Sequence, residues 1–74
     1  MNIQMHNTTK IVNVNGVPAR IWEGVTESGI DVHCFVTRIA VAAKENTAQF
    51  EAELKECQPP SLAVERAYPL SLVL

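Results

Sequence analysis

The sequence has no excess of basic charge, no long apolar run and few aromatic residues. Six Lys and Arg stand against eight Asp and Glu, which gives a net charge of −2, and aromatic residues make up 5%. Non-specific binding of nucleic acid needs a basic surface, so we expect no nucleic-acid partner. A membrane-spanning helix needs roughly 20 consecutive apolar residues, and no window approaches that length, so we expect no membrane partner.

The chain also lacks the features of a secretion signal. Residues 1–6 have neither a cationic start nor an apolar core. We therefore expect a cytoplasmic protein, in which Cys34 and Cys57 would normally stay reduced. In an oxidising environment the two thiols could still form a disulfide if the fold brings them together.

Motifs that carry chemistry are missing as well. The sequence contains no glycine-rich phosphate loop, nucleophile elbow or paired-carboxylate motif, so we expect no enzymatic activity and no cofactor. His6, His33, Cys34 and Cys57 are potential zinc ligands, but His33 and Cys34 are neighbours in a predicted strand and point to opposite faces. We therefore predict no metal site. The alternative hypothesis is a small metal-dependent or catalytic module centred on His33, because Asp31 shares its strand face.

What the sequence does contain is typical of one small folded domain. The chain has 74 residues, of which 47% are hydrophobic and 19% are charged, and this composition is too apolar for a disordered segment. We predict a flexible N-terminal tail over residues 1–8. Residues 9–74 are predicted to form a single α+β domain.

A β-hairpin is the clearest local prediction. The Asn-Gly pair at residues 15–16 lies between two runs rich in β-branched residues, which is a strong signal for a two-residue turn. Such a turn places Val14 opposite Val17 and Val12 opposite Ala19. It also sends consecutive residues of the second strand to opposite faces of the sheet.

A second turn extends this hairpin into a three-stranded antiparallel meander. We predict a four-residue loop at residues 26–29, followed by a third strand from residue 30 to residue 41. In that register Ile21 faces Cys34. Pro18 has no N–H to donate towards the third strand, so we expect pairing with that strand to begin just after it, around Ala19 or Arg20.

These registers divide the sheet into two faces of different composition. The predicted aliphatic face consists of Val12, Val14, Val17, Ala19, Ile21, Val25, Ile30, Val32, Cys34 and Val36. The predicted mixed face consists of Ile11, Arg20, Trp22, His33, Phe35, Thr37 and Ile39.

A helix is predicted after the third strand. Phe50, Leu54 and Cys57 recur at helical spacing, and Asn46 or Thr47 can cap the N-terminus. A helix this short is marginal alone, so its apolar side must pack on another surface. We expect it to dock on the aliphatic face and to complete the core there.

The C-terminal third is less regular. Residues 62–66 are predicted to form either a short strand or a connection. Leu70, Leu72 and Leu74 alternate along the final segment, which predicts a C-terminal strand returning to the sheet.

The mixed face is the candidate functional surface, because it combines apolar and charged residues. Either the C-terminal segment or the N-terminal residues Ile3 and Met5 fold across it, or it binds a protein partner or a second copy of the chain. An aromatic platform for single-stranded nucleic acid is a weaker alternative, because the chain is acidic. The predicted contact residues are Trp22, Phe35, Arg20 and His33. The function we expect is that of a small non-enzymatic interaction protein, acting through self-association or a protein partner.

Three stretches carry a resemblance to other proteins. The segments VNGVPARIWEG at residues 14–24, TRIAV at 37–41 and QFEAEL at 49–54 resemble small uncharacterised proteins of Gram-negative bacteria and their phages. The resemblance covers most of the chain. It implies no known activity and assigns no role to any residue.

Overall fold

The computed structural model describes residues 1–68 and has an α+β fold: a three-stranded antiparallel sheet in the order β1-β2-β3, with two short helices. The elements are β1 Ile3–Val14, β2 Val17–Thr26, β3 Asp31–Val36, α1 Thr47–Leu54 and α2 Leu62–Ala67. The predicted meander is therefore confirmed. The predicted C-terminal strand, over residues 70–74, lies outside the described residues. No helix within residues 1–68 is long and apolar enough to cross a membrane.

The β1–β2 turn forms as the Asn-Gly pair predicts. Asn15 and Gly16 both have positive φ, at 51° and 82°, which is the backbone of a type I′ turn. Next to the turn, Val14 pairs with Val17 and Val12 pairs with Ala19. The predicted register of the first hairpin is confirmed at this end.

Pro18 limits the pairing of β2 as expected. Its ring nitrogen cannot donate a hydrogen bond, so β3 would lack a backbone hydrogen bond from β2 if the pairing extended as far as Pro18. The pairing between β2 and β3 begins at Arg20, opposite Val36. The predicted start of the third strand's pairing is therefore confirmed.

A bulge interrupts the β1–β2 pairing further along. The register shifts by two residues, so that residues 8–10 all lie opposite Ile21. The Thr8 hydroxyl donates to the Ile21 carbonyl at 2.7 Å and accepts from the Lys10 N–H at 3.2 Å. Arg20 Nη1 donates to the Thr8 carbonyl at 2.8 Å. Side chains thus replace ladder bonds that the bulge removes.

The sheet includes most of the segment that we expected to be a tail. β1 begins at Ile3, so six of the residues 1–8 belong to a strand and continue the pairing with β2 beyond the bulge. The outer edge of β1 is also covered near the bulge. Thr9 N–H donates to the Gln58 carbonyl at 3.0 Å, and Gln58 N–H donates to the Asn7 carbonyl at 3.2 Å.

The second hairpin has a different loop from the predicted one. Thr26 N–H donates to the Ile30 carbonyl at 3.0 Å, so the loop contains three residues rather than four. Gly29 N–H donates to the Thr26 carbonyl at 3.0 Å, and Gly29 has φ +88°. A tight turn that ends in one left-handed glycine is the common form of the three-residue hairpin loop.

The shorter loop changes the faces of β3. Ile21 pairs with Phe35 and not with Cys34, so the predicted β2–β3 register is wrong by one residue. A shift of one residue exchanges the two faces of a strand. One side, called the α2 face below, contains Val12, Val14, Val17, Ala19, Ile21, Glu23, Val25, Asp31, His33 and Phe35. The other side, called the α1 face, contains Ile11, Pro18, Arg20, Trp22, Val32, Cys34 and Val36.

Helix α2 closes the core, and the prediction of a strand or a connection over residues 62–66 is wrong. Ser61 caps the helix, and its hydroxyl accepts from the Val64 N–H. Val64 is fully buried and packs on Val12 and Ile21 in the middle of the α2 face. Cores this small are marginal, so the contact of one valine matters for the stability of the whole fold.

Helix α1 lies on the other side of the sheet. Asn46 caps its N-terminus by accepting from Gln49 N–H at 3.0 Å, as predicted, but the helix ends at Leu54 rather than at Cys57. Asn7 Nδ2 donates to the Leu54 carbonyl at 2.8 Å, which fixes the end of the helix against β1. The predicted docking of this helix on the aliphatic face is wrong, because α2 occupies that face.

Candidate functional surfaces

The four predicted contact residues do not form one surface. Trp22 and Arg20 lie on the α1 face, whereas His33 and Phe35 lie on the α2 face. The cause is the three-residue loop between β2 and β3, which exchanges the faces of β3 only. The sheet therefore carries two separate candidate surfaces, and each has its own helix beside it.

The first surface is a groove beside Trp22, called the Trp groove below. It has a volume of about 270 Å³ and lies between the α1 face, the segment after β3 and helix α1. Its apolar lining consists of Ile11, Pro18, Trp22, Val36, Ile39, Phe50 and Leu54. The N-terminal residues Ile3 and Met5 do not fold across this face. They are part of β1, and they remain 36% and 46% exposed.

The charges of the Trp groove have one sign. Among its lining residues in the described part of the chain, Arg20 and Arg38 are the only charged ones. Arg20 is partly committed to the bulge, because its Nη1 atom donates to the Thr8 carbonyl. Arg38 is exposed and follows β3 by two residues. The groove can therefore offer apolar contact together with a guanidinium group that binds carboxylates.

The second surface is a wider groove on the α2 face, called the His–Glu groove below. It has a volume of about 530 Å³ and is lined by all three strands and by the start of α2. Glu23 lies at its centre, since it is the cross-strand neighbour of His6 on one side and of His33 on the other. The carboxylate accepts hydrogen bonds from the Ser61 N–H, at 3.0 Å, and from the Ser61 hydroxyl.

These neighbours change the acidity of Glu23. Burial raises its pKa, but the two hydrogen bonds from Ser61 and the charges of His6 and His33 together lower the pKa below the ordinary value. The ionised carboxylate is therefore the favoured form. The carboxylate holds Ser61, the N-cap of α2, in place over the sheet. Glu23 and its two neighbouring histidines therefore stabilise the position of this helix.

Several side chains of the His–Glu groove are engaged in contacts with their neighbours. The Ser61 hydroxyl donates to the Glu23 carboxylate and also caps α2 by accepting from the Val64 N–H. The ring of Tyr68 packs edge-on against His33 and Phe35, with centroids 5.8 and 5.4 Å apart. Within residues 1–68 no three His, Cys, Asp or Glu side chains are placed to hold a metal ion. Cys34 and Cys57 are both free thiols.

Sequence reasoning placed Ile39 on the mixed face but missed several other residues of these surfaces. Arg38 and Ile39 were expected inside a long third strand, and β3 instead ends at Val36. The role of Ser61 had a readable signal, because a serine after two prolines and before good helix formers is typical of an N-cap. The row of Glu23 with its two histidines had none, since it depends on the bulge in β1 and on the loop after β2.

Comparison with protein-family models, with curated proteins and with solved structures found no match to this chain. The resemblance to small bacterial and phage proteins stays a prediction. The two grooves and the edges of the sheet are therefore the features of the molecule that can indicate a function.

Proposed function

We propose that this chain is a small, non-enzymatic interaction protein that acts in the cytoplasm, and that its Trp groove binds a short segment of a partner protein. The segment would carry apolar side chains for the groove and carboxylates for the arginines. The observation that carries the proposal is the combination of an apolar groove with charges of only one sign. Tryptophan and arginine are also the residue types that contribute most at protein interfaces.

The balance of buried and exposed apolar residues supports this proposal. In the described residues the buried hydrophobic ones are only Val12, Ala19, Ile21 and Val64. In the Trp groove, by contrast, Ile39 is 41% exposed and Leu54 is 38% exposed. No residue of helix α1 is fully buried and Phe50 is only half-buried, so the apolar residues of α1 gain little from the sheet alone. A bound apolar segment would remove more of this surface from water and would stabilise α1 in its position.

The charge of the groove defines the kind of segment. The protein as a whole is acidic, with a net charge of −2, so a basic partner would be favoured by the overall surface. Within the groove the opposite holds, because Arg20 and Arg38 face a bound segment. We therefore expect local preference for acidic residues, and this preference separates specific binding in the groove from general attraction to the surface.

Trp22 provides the assay, because it is the single tryptophan of the chain and lies in the groove. The protein is titrated with two synthetic peptides of equal length, one alternating Leu with Glu and the other alternating Leu with Lys. We expect the Glu peptide to change the emission of Trp22 at lower concentration than the Lys peptide does.

An arginine pair gives the matched control. Arg38→Ala removes a charge from the groove, whereas Arg66→Ala removes an exposed charge from α2. Arg38→Ala should weaken binding of the Glu peptide by roughly two- to fivefold, the effect of one partly exposed ion pair. Arg66→Ala should leave binding unchanged. Equal affinity for both peptides, or equal loss in both variants, would contradict the proposal.

A further inference from the structure

The two edges of the sheet differ in how they are covered. On β1, the backbone of Gln58 pairs with the outer edge on both sides of Thr8. On β3, no strand of residues 1–68 lies on the outer side. Within residues 1–68, no turn or loop segment forms a backbone hydrogen bond with residues 31–36. Within residues 1–68, the edge of β1 is therefore closed by the chain itself, and the edge of β3 is open.

The open edge carries few of the features that prevent strands from associating. Natural edge strands are commonly protected by lysines, prolines or bulges. β3 contains neither Lys nor Pro, and its pairing with β2 runs without a register shift from Arg20 to Val25. Asp31, at its first position, is the one Asp, Glu, Lys or Arg that the strand contains. A regular edge of this kind is a template for another strand.

We propose that β3 pairs in antiparallel orientation with β3 of a second copy of this chain, so that two sheets join into one. Charge complementarity selects this occupant. The strand begins with the carboxylate of Asp31, and the guanidinium of Arg38 follows two residues after its end. Antiparallel pairing brings the Asp31 end of each copy to the Arg38 end of the other. The edge of β3 is a different surface from the Trp groove, but the two share Val36 and Arg38, which also line that groove.

Symmetry restricts the register of such a dimer. In a continuous antiparallel sheet, residues that lie directly opposite each other have side chains on the same face. When the two strands are identical and related by a two-fold axis, this holds only if the axis passes through one residue, which then lies opposite its own copy. Only His33 and Cys34 are central enough in β3 for this. With His33 on the axis, the two imidazoles would face each other and Asp31 would face Phe35. With Cys34 on the axis, the pairs are more favourable.

The register with Cys34 on the axis places Val32 opposite Val36 and His33 opposite Phe35 of the other copy. It also places Asp31 beside the segment that contains Arg38. Pairs between β-branched residues and between aromatic rings stabilise antiparallel strands, whereas like charges in direct opposition destabilise them. We therefore assign the two-fold axis to Cys34.

Sedimentation of the full chain under reducing conditions is the first test. We expect a concentration-dependent change from a particle of 8.2 kDa to one of twice that mass in the micromolar range. Cys34→Lys should raise the dissociation constant by roughly tenfold or more, because two ammonium groups would face each other across the axis. Cys57→Lys is the matched control, since Cys57 is also free and half-buried, and it should leave the dimer intact.

Mild oxidation tests the register without a destabilising substitution. Opposite residues of antiparallel strands have Cα atoms roughly 4.5 to 5.5 Å apart, within the range of a disulfide. Diamide, an azo oxidant, takes up the two electrons and two protons that two thiols release, so Cys57→Ser should cross-link through Cys34 into a covalent dimer. Cys34→Ser should not do so at the same protein concentration.

Three results would overturn the proposal. One is a wild-type chain that sediments as a monomer throughout the micromolar range. Another is cross-linking that follows Cys57 instead of Cys34. The third is a monomer whose β3 amides are protected from hydrogen exchange on both sides, because a different segment of the same chain would then cover the edge.

Discussion

Removing the hydroxyl of Thr8 should destabilise the whole sheet, because that hydroxyl holds the bulge in β1. Thr8 is fully buried, and Oγ1 donates to the Ile21 carbonyl at 2.7 Å and accepts from the Lys10 N–H at 3.2 Å. Thr8→Val keeps the shape of the side chain but leaves both backbone groups without this partner. Each buried polar group that loses its partner costs about 1–3 kcal/mol, and the second bond is long, so we expect a total loss of about 2–3 kcal/mol.

This loss is large for a chain of this size, whose total stability is roughly 4–11 kcal/mol. Circular dichroism should show the melting temperature falling by about 8–24 °C. Thr9→Val is the matched control, because it makes the same chemical change at the exposed neighbour. Urea titration of both variants gives the free energy of unfolding directly. If the two variants differ from each other by less than about 0.5 kcal/mol, the hydroxyl of Thr8 does not hold the bulge and the argument fails.

Three further substitutions test the contacts around α2. Burial raises the pKa of Glu23, but the Ser61 hydrogen bonds and the nearby imidazoles outweigh burial and leave the folded pKa below 4.5. The stability that ionised Glu23 contributes is therefore present above pH 4.5 and is lost as the pH falls through the folded pKa. Glu23→Gln should therefore flatten the acid side of a stability profile measured with urea, and an unchanged slope would contradict this. Val64→Ala should cost about 2 kcal/mol in the same urea assay, because it removes two buried carbon atoms from the core, and a loss below about 0.5 kcal/mol would refute the core role. Lys10 is 4% exposed and lies 3.8 Å from the half-exposed Glu65, so Lys10→Met should be close to neutral in thermal melts, whereas a loss above about 2 kcal/mol would show a strong ion pair.

The first hairpin could be predicted because its signal is local. Asn15 and Gly16 fix the turn through backbone preferences that need no distant contact, and the register next to the turn follows from the two-residue loop. The limit that Pro18 sets on pairing is equally local. The bulge at residues 8–10 had no such signal, since it depends on Gln58 and Arg20, which reach it from other parts of the chain.

The helices show the same division between local and distant causes. The N-cap at Asn46 could be predicted from the sequence, because the side chain bonds a backbone N–H three residues away. The face on which α1 lies could not, because it depends on whether another element already covers the aliphatic side. That element is α2, whose serine cap and helix-forming residues were present in the sequence at Ser61 and beyond.

The contrast between the bulge and the second loop explains why two of the four predicted contact residues share one face of the sheet and the other two lie on the opposite face. The bulge shifts the β1 register by two residues, and because side chains alternate with a period of two, every residue of β1 keeps its face. The loop at Gly29 shifts β3 by one residue, and every side chain of that strand changes face. Trp22 and Arg20 therefore remain together, while His33 and Phe35 move to the side of Tyr68. The charge pairing proposed at the β3 edge does not depend on the predicted β2–β3 register. Asp31 and Arg38 keep their positions along the strand direction even when the two faces of the strand are exchanged.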